Sequence, residues 1–154
     1  MPYIREVSKD DLEAIKEIET SCFPVPWNPE VFDILARWEG TIPLKGERIL
    51  HMKVLEDDGR LCGYVVWEEN SEDSEGHLMN IAIANDSRGR GFGKKLLEHV
   101  LKSLRASGST ECWLEVRSGN ESARSLYESM GMRASERIPN YYDNEDAIIY
   151  RIDL

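Results

Sequence analysis

Cysteine is scarce in this chain of 154 residues, and its three copies stand far apart. Cys22, Cys62 and Cys112 show no CxxC spacing, which argues against a disulfide framework and against a zinc site. Buried thiols in a reducing cytoplasm are expected instead. Long apolar runs are missing too: no stretch of about 18 apolar residues occurs, so no membrane-spanning helix is expected. The opening "MPYIREVSKDD" turns charged at once, unlike a signal peptide. Positive charge is in deficit, with 19 Lys and Arg against 29 Asp and Glu and a net charge of −10. A nucleic-acid backbone would be repelled by such a surface, whereas a cationic substrate would be tolerated. Repeats, low-complexity segments and linkers are absent, so residues 1–154 are expected to form one domain, a monomer or weak dimer.

What is present is a regular succession of elements. Tyr3–Val7 reads as a short strand. Ser8 then caps a helix that puts Leu12, Ile15, Ile18 and Cys22 on one face. Asn28 caps a second helix with Pro29 at its first position. Residues 48–69 form two strands around Asp58-Gly59, a hairpin signal, and the acidic "NSEDSEG" is a loop. "HLMNIAIA" is a strand, and Phe92, Leu96, Leu97, Val100, Leu101 and Leu104 repeat at helical spacing up to Ser107-Gly108. "TECWLEVR" is a strand, "NESARSLYESMG" a helix capped by Asn120, and "MRASERI" and "EDAIIYRIDL" are the closing strands. The predicted fold is α/β, in the order β-α-α-β-β-β-α-β-α-β-β, with the unit from His77 to Arg117 parallel and right-handed.

The informative stretch is "NIAIANDSRGRGFGKKLLEHVL", Asn80 to Leu101. Gly89, Gly91 and Gly93 lie between the end of a strand and the start of a helix, where unpaired N–H groups and the positive end of the helix dipole converge. Backbone without Cβ atoms can approach an anion closely, and a phosphate is the natural ligand. A flexible loop with an incidental charged cap is the simpler alternative. Against it, Arg88, Arg90, Lys94 and Lys95 put positive charge where the dipole disfavours it, a conflict that an anion would resolve. A P-loop is excluded because Lys95 stands where Ser or Thr is required. A dinucleotide fingerprint fails in both registers, at Lys94 and at Leu96. What matches is [Arg/Gln]-x-x-Gly-x-[Gly/Ala], through Arg88, Gly91 and Gly93.

That motif resembles the acetyl-CoA loop of the GNAT (GCN5-related) N-acetyltransferases. "NIAI", "RGRGFGKKLLEHVL", "WLEVRSGNESARSLYESMGM" and "NYYDNEDAIIY" follow in order, after "CFPVPW", and together are similar to the RimI group, which acetylates the N-terminal alanine of a ribosomal protein. The resemblance is weakest from Arg37 to Glu47. It implies the GNAT (acyl-CoA N-acyltransferase) fold, a mixed, mostly antiparallel sheet of about seven strands with four helices, in the element order read above. It also implies acetyl-CoA as cosubstrate and no metal. The pyrophosphate would be held by loop amides from Arg88, Gly89, Arg90, Gly91, Phe92, Gly93 and Lys94, and the pantetheine arm by the backbone of Ile81, Ala82 and Ile83. Arg88 stands where close relatives often have Gln, and Gly89 is an additional glycine; neither removes an N–H donor.

The chemistry needs a neutral amine, a stabilised oxyanion and a proton for the departing thiolate. Glu115 in "CWLEVR" is expected on a central strand, partly desolvated, the setting that makes a carboxylate a better base. A salt bridge to Arg117, two residues on and on the same face, accounts for it equally well from spacing. The resemblance favours the base. Tyr127 shares a helix face with Ala123 and Met130 and by that pattern reads as core. Family tyrosines at this place, 12 residues after the glutamate, act as the general acid toward the coenzyme sulfur. Asn120, an N-cap, would by the same resemblance also touch the pantetheine, and a backbone N–H near Ile81 would meet the oxyanion. Trp27, Tyr141 and Tyr142 lie in loops that flank the amine's entrance in this family, though exposed aromatics could be packing. The acidic stretches 72–75 and 143–146 would draw a protonated amine or simply form a solvated face.

The implied function is transfer of an acetyl group to a peptide α-amine by direct attack. A small-amine or lysine acetyltransferase is the neighbouring alternative; a non-catalytic acyl-CoA-binding regulator and a nucleotide-binding module belong to other classes. An α-amine titrates near 7.7–8.0 and a lysine near 10.4, so a modest base deprotonates the former far more readily.

Overall fold

Eight strands and four α-helices make up the computed structural model, which describes residues 1–154. In chain order they are β1 (Tyr3–Glu6), α1 (Leu12–Cys22), α2 (Pro29–Arg37), β2 (Thr41–Pro43), β3 (Arg48–Asp57), β4 (Arg60–Asn70), β5 (Glu75–Ile83), α3 (Phe92–Ala106), β6 (Glu111–Arg117), α4 (Glu121–Ser129), β7 (Arg133–Ile138) and β8 (Ala147–Asp153). One sheet runs β1-β3-β4-β5-β6-β8-β7, with β2 also pairing with β3. All pairs are antiparallel except β5–β6. No helix is long and apolar enough to cross a membrane.

Two local readings are corrected. The sheet has an eighth strand, β2, whose three residues are too few to show alternation; it pairs with Ile49–His51 of β3. Ser8 caps the helical run as expected, but its first turn is not α-helical. Lys9–Asp11 form a 3-10 turn, in which the Asp11 carboxylate accepts from the Ser8 N–H at 2.8 Å and is gripped by Arg5 through two bonds of 2.8 Å. Burial alone would raise the Asp11 carboxyl, but the Arg5 pair and the Ser8 amide outweigh it and hold it below the usual carboxylate range. The hairpin forms where expected: Asp58 (φ +52°) and Gly59 (φ +74°) are both left-handed, as a two-residue type I′ turn requires.

The core lies on both faces of the sheet. One layer packs Ile15 and Ile18 of α1 and Phe32, Leu35 and Ala36 of α2 onto Met52, Val54, Tyr64, Val66 and Ala82. The other packs all six apolar residues of the α3 stripe, with Tyr127 of α4, onto Leu78, Cys112, Leu114, Val116, Ile148 and Tyr150. Each layer removes apolar area from water on a single amphipathic helix face, which is why the helical spacing was readable. Of the three thiols, Cys62 and Cys112 are buried and Cys22 is half-buried.

Two irregularities in the centre of the sheet matter most. The β4–β5 register slips between Val66↔Asn80 and Trp67↔Leu78, leaving Met79 as a bulge. Leu78 faces α3, and strict alternation would send Asn80 the same way. The bulge instead turns Asn80 and Ala82 toward α1. Next to it, the parallel pairing of β5 and β6 stops at His77↔Trp113, although both strands continue, to Ile83 and Arg117. Beyond that point the sheet is split by a slot.

Candidate active site

The slot is bordered by unpaired backbone. The Ala84 N–H donates to Cys62 O across β4 at 2.8 Å, so strand alternation turns the backbone groups of Ile83 and Ile81 to the opposite, open edge. Ala82 faces β4 with its backbone. Of the three residues expected to line an extended ligand, Ile81 therefore turns its N–H and C=O to the slot and Ile83 its N–H, the Ile83 carbonyl accepting from Arg88 and Cys22. Ala82 does not face the slot.

At the end of β5 the glycine loop leads into α3. Gly89 and Gly91 both have φ of +78°, and a Cβ on either would meet nothing within 4 Å. Their requirement is conformational: the left-handed backbone closes the loop and leaves the surface open. Gly91 begins α3 with no side-chain cap, and the Lys95 N–H is the one that bonds its carbonyl, at 3.1 Å. The amides of Phe92, Gly93 and Lys94 precede that first helical bond and remain free at the positive end of the dipole. Gly93 is different. Its backbone is helical, and a Cβ would come within 3.2 Å of Leu126 on α4, so it permits the close approach of two helices.

The four basic side chains do not act alike. Arg90 binds Asp57 at 2.5 Å and lies over the Phe92 ring at 4.6 Å, and this hydrogen bond holds the Asp57 carboxyl below its ordinary range. Arg88 reaches back to Cys22 Sγ (3.3 Å) and the Ile83 carbonyl (3.4 Å). Lys94 and Lys95 stay exposed and unpaired. Two cations therefore shape the loop, and two keep free charge at the helix start.

Glu115 and Tyr127 come to opposite faces of the slot. On β6, Cys112, Leu114 and Val116 point into the α3 layer, so Trp113, Glu115 and Arg117 point the other way. The Glu115 side chain is 16% exposed. Its partner is not Arg117, which turns instead to Glu145 (3.3 Å) and lies over the Tyr142 ring at 4.3 Å. The shared face was legible from spacing; the cross-strand neighbour was not. His77, at the last paired position of β5, puts Nε2 at 2.9 and 3.1 Å from the two carboxylate oxygens. Its ring stacks on Trp113, 3.8 Å between centroids and 2° between planes. A carboxylate oxygen accepts, so the His77 Nε2–H is the donor in this pair.

Tyr127 is buried in the α3–α4 layer, with its ring 5.8 Å from that of Tyr150. Burial pushes its phenol up, with Tyr142, Glu115 and Cys112 adding to the effect. The hydroxyl has no hydrogen-bond partner in the chain, yet the only fully occluded polar side-chain atom without one is Trp67 Nε1. The Tyr127 oxygen thus keeps some contact with solvent. Asn120 caps α4, its Oδ1 accepting from the Ala123 N–H at 3.2 Å.

On the Glu115 side an open groove runs between Pro24 and Val25 of the α1–α2 loop and the segment from Tyr141 to Glu145, with Arg117 also lining it. Burial, and then the charge of Glu115, pushes the Tyr142 phenol up to about 12 and raises that of Tyr141. Trp27 is not in the groove: its ring stacks on Phe32, 5.7 Å between centroids. Pro24 and Val25 take the place expected for it. Two further residues went unread in the sequence. His77 was one strand residue among others, since only sheet register reveals its neighbour. Glu19 is 3% exposed on the apolar side of α1, and the signal available for it was its position four residues after Ile15.

The chain that carries this arrangement is similar in sequence and in fold to known proteins. The sequence profile of the acetyltransferase (GNAT) family matches residues 12–132. The [ribosomal protein bS18]-alanine N-acetyltransferase of Salmonella typhimurium is 34% identical, covering 100% of this chain and 99% of its own. The Haemophilus influenzae protein of the same description is 35% identical over 92% of this chain and 88% of its own. The crystal structure of the Escherichia coli ribosomal-protein-S18-alanine N-acetyltransferase superposes with a TM-score of 0.81 at 29% identity, over 99% of this chain and 94% of that one.

Proposed function

This chain belongs to the acetyltransferase (GNAT) family, and we propose that it moves the acetyl group of acetyl-CoA onto the N-terminal amine of a protein, of the ribosomal-protein alanine type. Residues 1–154 act as one catalytic domain in the cytoplasm. The observation that carries the reading is the slot between β5 and β6, with the Glu115–His77 pair on one face and Tyr127 on the other.

The residues fit acetyl-CoA. The free amides of Phe92, Gly93 and Lys94, with the loop amides before them and the Lys94 and Lys95 charges, suit a pyrophosphate. The backbone of Ile81 and Ile83 suits the amide-bearing pantetheine arm, which Asn120 reaches from α4. The acceptor amine enters by the groove, where Asp143 and Glu145 favour its ammonium form on approach. Glu115, oriented by His77, takes the proton that the amine must lose, directly or through one water. An Ile81 N–H is aimed where the thioester oxygen gains charge. As the amine nitrogen bonds to the acetyl carbon, the carbon–sulfur bond breaks and Tyr127 gives its proton to the sulfur.

Gly91→Asp tests the loop. Asp strains the left-handed backbone that closes the loop and puts a negative charge at the helix start, so acetyl-CoA affinity is expected to fall tenfold or more, roughly the loss of one charge-assisted contact. Calorimetry reads it; unchanged affinity would remove the anion-binding role of the loop.

The acceptor is tested with the wild-type protein and short peptides of matched sequence. An N-terminal alanine peptide should be acetylated, and its N-terminally blocked form should not, even with a lysine present. Equal turnover of the blocked, lysine-bearing peptide would replace the α-amine reading by a side-chain one.

A further inference from the structure

The hydrogen bonds of Glu19 link three parts of the molecule to α1. Oε1 accepts from the Tyr64 hydroxyl on β4 at 2.6 Å and from Asn80 Nδ2 on β5 at 2.8 Å, and Oε2 accepts from the Trp27 N–H at 2.9 Å. Every contact is a donor, as an ionised carboxylate requires. Stability alone does not call for this residue. Ile15 and Ile18 already seal α1 onto the sheet, and a well-packed apolar side chain at position 19 would spare the cost of burying a charge. What an apolar side chain lacks is direction.

The loop shows where direction matters. From Pro24 to Trp27, two of four residues are proline and have no N–H, and the bond from Trp27 to Glu19 is the only hydrogen bond in the segment. Val25 is 73% exposed and contributes no packing that could hold the loop. Pro24 and Val25 nevertheless form one wall of the groove. The same carboxylate grips Asn80, the residue that the Met79 bulge turns toward α1 and the immediate neighbour of Ile81 at the open edge.

We infer that Glu19 is a positioning residue for the acceptor: it sets the loop wall of the groove against the β5 edge, so that the incoming peptide meets a preformed channel. The inference rests on the acceptor-groove reading above. A preformed wall lowers the ordering cost of binding, so its loss acts on the peptide and not on the coenzyme, which lies along α3 and the slot.

Glu19→Gln is the discriminating variant. The amide oxygen can still accept from Tyr64 and Asn80, but the amide nitrogen then meets the Trp27 N–H donor to donor. Peptide KM should rise roughly tenfold, as for a lost bond to a charged group, while acetyl-CoA KM stays within about twofold and amide exchange at Trp27 quickens. Glu19→Asp, one methylene shorter with its charge kept, is the second variant and should raise the same KM. Ile15→Val, which loosens the same helix without touching the bond, should lower the melting temperature and leave both KM values alone. Unchanged Trp27 exchange in Glu19→Gln overturns the inference whatever acceptor the wild type uses. Faster exchange with unchanged peptide KM, or equal rises in both KM values, overturns the positioning role. A wild type that ignores peptides but acetylates small amines defeats the peptide reading instead, and the KM of that amine then decides the role of Glu19.

Discussion

Glu115→Gln is expected to lower turnover by roughly 10²-fold near neutral pH, the scale of a lost general base. The substitution isolates the proton-accepting role, because Gln keeps the shape and its oxygen can still accept from His77 Nε2–H. Coenzyme affinity should not move, since the helix start and the β5 edge are untouched. The deficit should shrink as pH rises past about 7.7–8.0, where an α-amine is already neutral and needs no base. A steady-state pH–rate profile checks both statements. A mutant whose profile is parallel to that of the wild type, at any level, would reduce Glu115 to a structural partner of His77.

Tyr127→Phe is expected to lower turnover by a similar factor, roughly 10²-fold, with coenzyme affinity and melting temperature nearly unchanged. The hydroxyl has no partner in the chain, so its removal leaves no buried group unsatisfied and costs little stability. Its burial raises the phenol's affinity for its proton. The sign matters: a raised acid keeps its proton through the working range, so Tyr127 should impose no falling alkaline limb on the wild-type rate below about pH 10. An acetyl donor with a more acidic thiol leaves with less help and should rescue the Phe variant more than the wild type. Activity that falls only in step with melting temperature would return Tyr127 to the core.

The features read correctly in advance share one property: they depend on neighbours in sequence. The apolar stripe of α3 is buried in full because residues three and four apart share a helix face. Asp58-Gly59 turns the β3–β4 hairpin because both positions tolerate positive φ. Asn28 and Asn120 cap α2 and α4 through bonds to residues two and three further on. Where reading stopped short, a non-local contact intervened. Arg117 answered to Glu145 and Tyr142 rather than to Glu115. Trp27 packed on Phe32 and left the groove to Pro24 and Val25. Asp11, read only as part of the first helix, is gripped by Arg5 of β1. β2 exists because β3 offers it a free edge.

By itself the sequence determined the α/β order of elements, the glycine loop at the start of α3 and the positions of Glu115 and Tyr127 within a strand and a helix. Each follows from propensities and periodicities that act over a few residues. The tertiary structure alone decided that β5 and β6 part after His77, that the Met79 bulge hands Asn80 to Glu19, and that Glu115 meets His77 instead of Arg117. In β5, buried and half-buried residues alternate without a break from Glu75 to Ile83, although the face they point to changes at the bulge. Burial leaves its mark on composition, but the side of the sheet and the partner across a gap do not, because register between strands distant in sequence is a property of the assembled sheet.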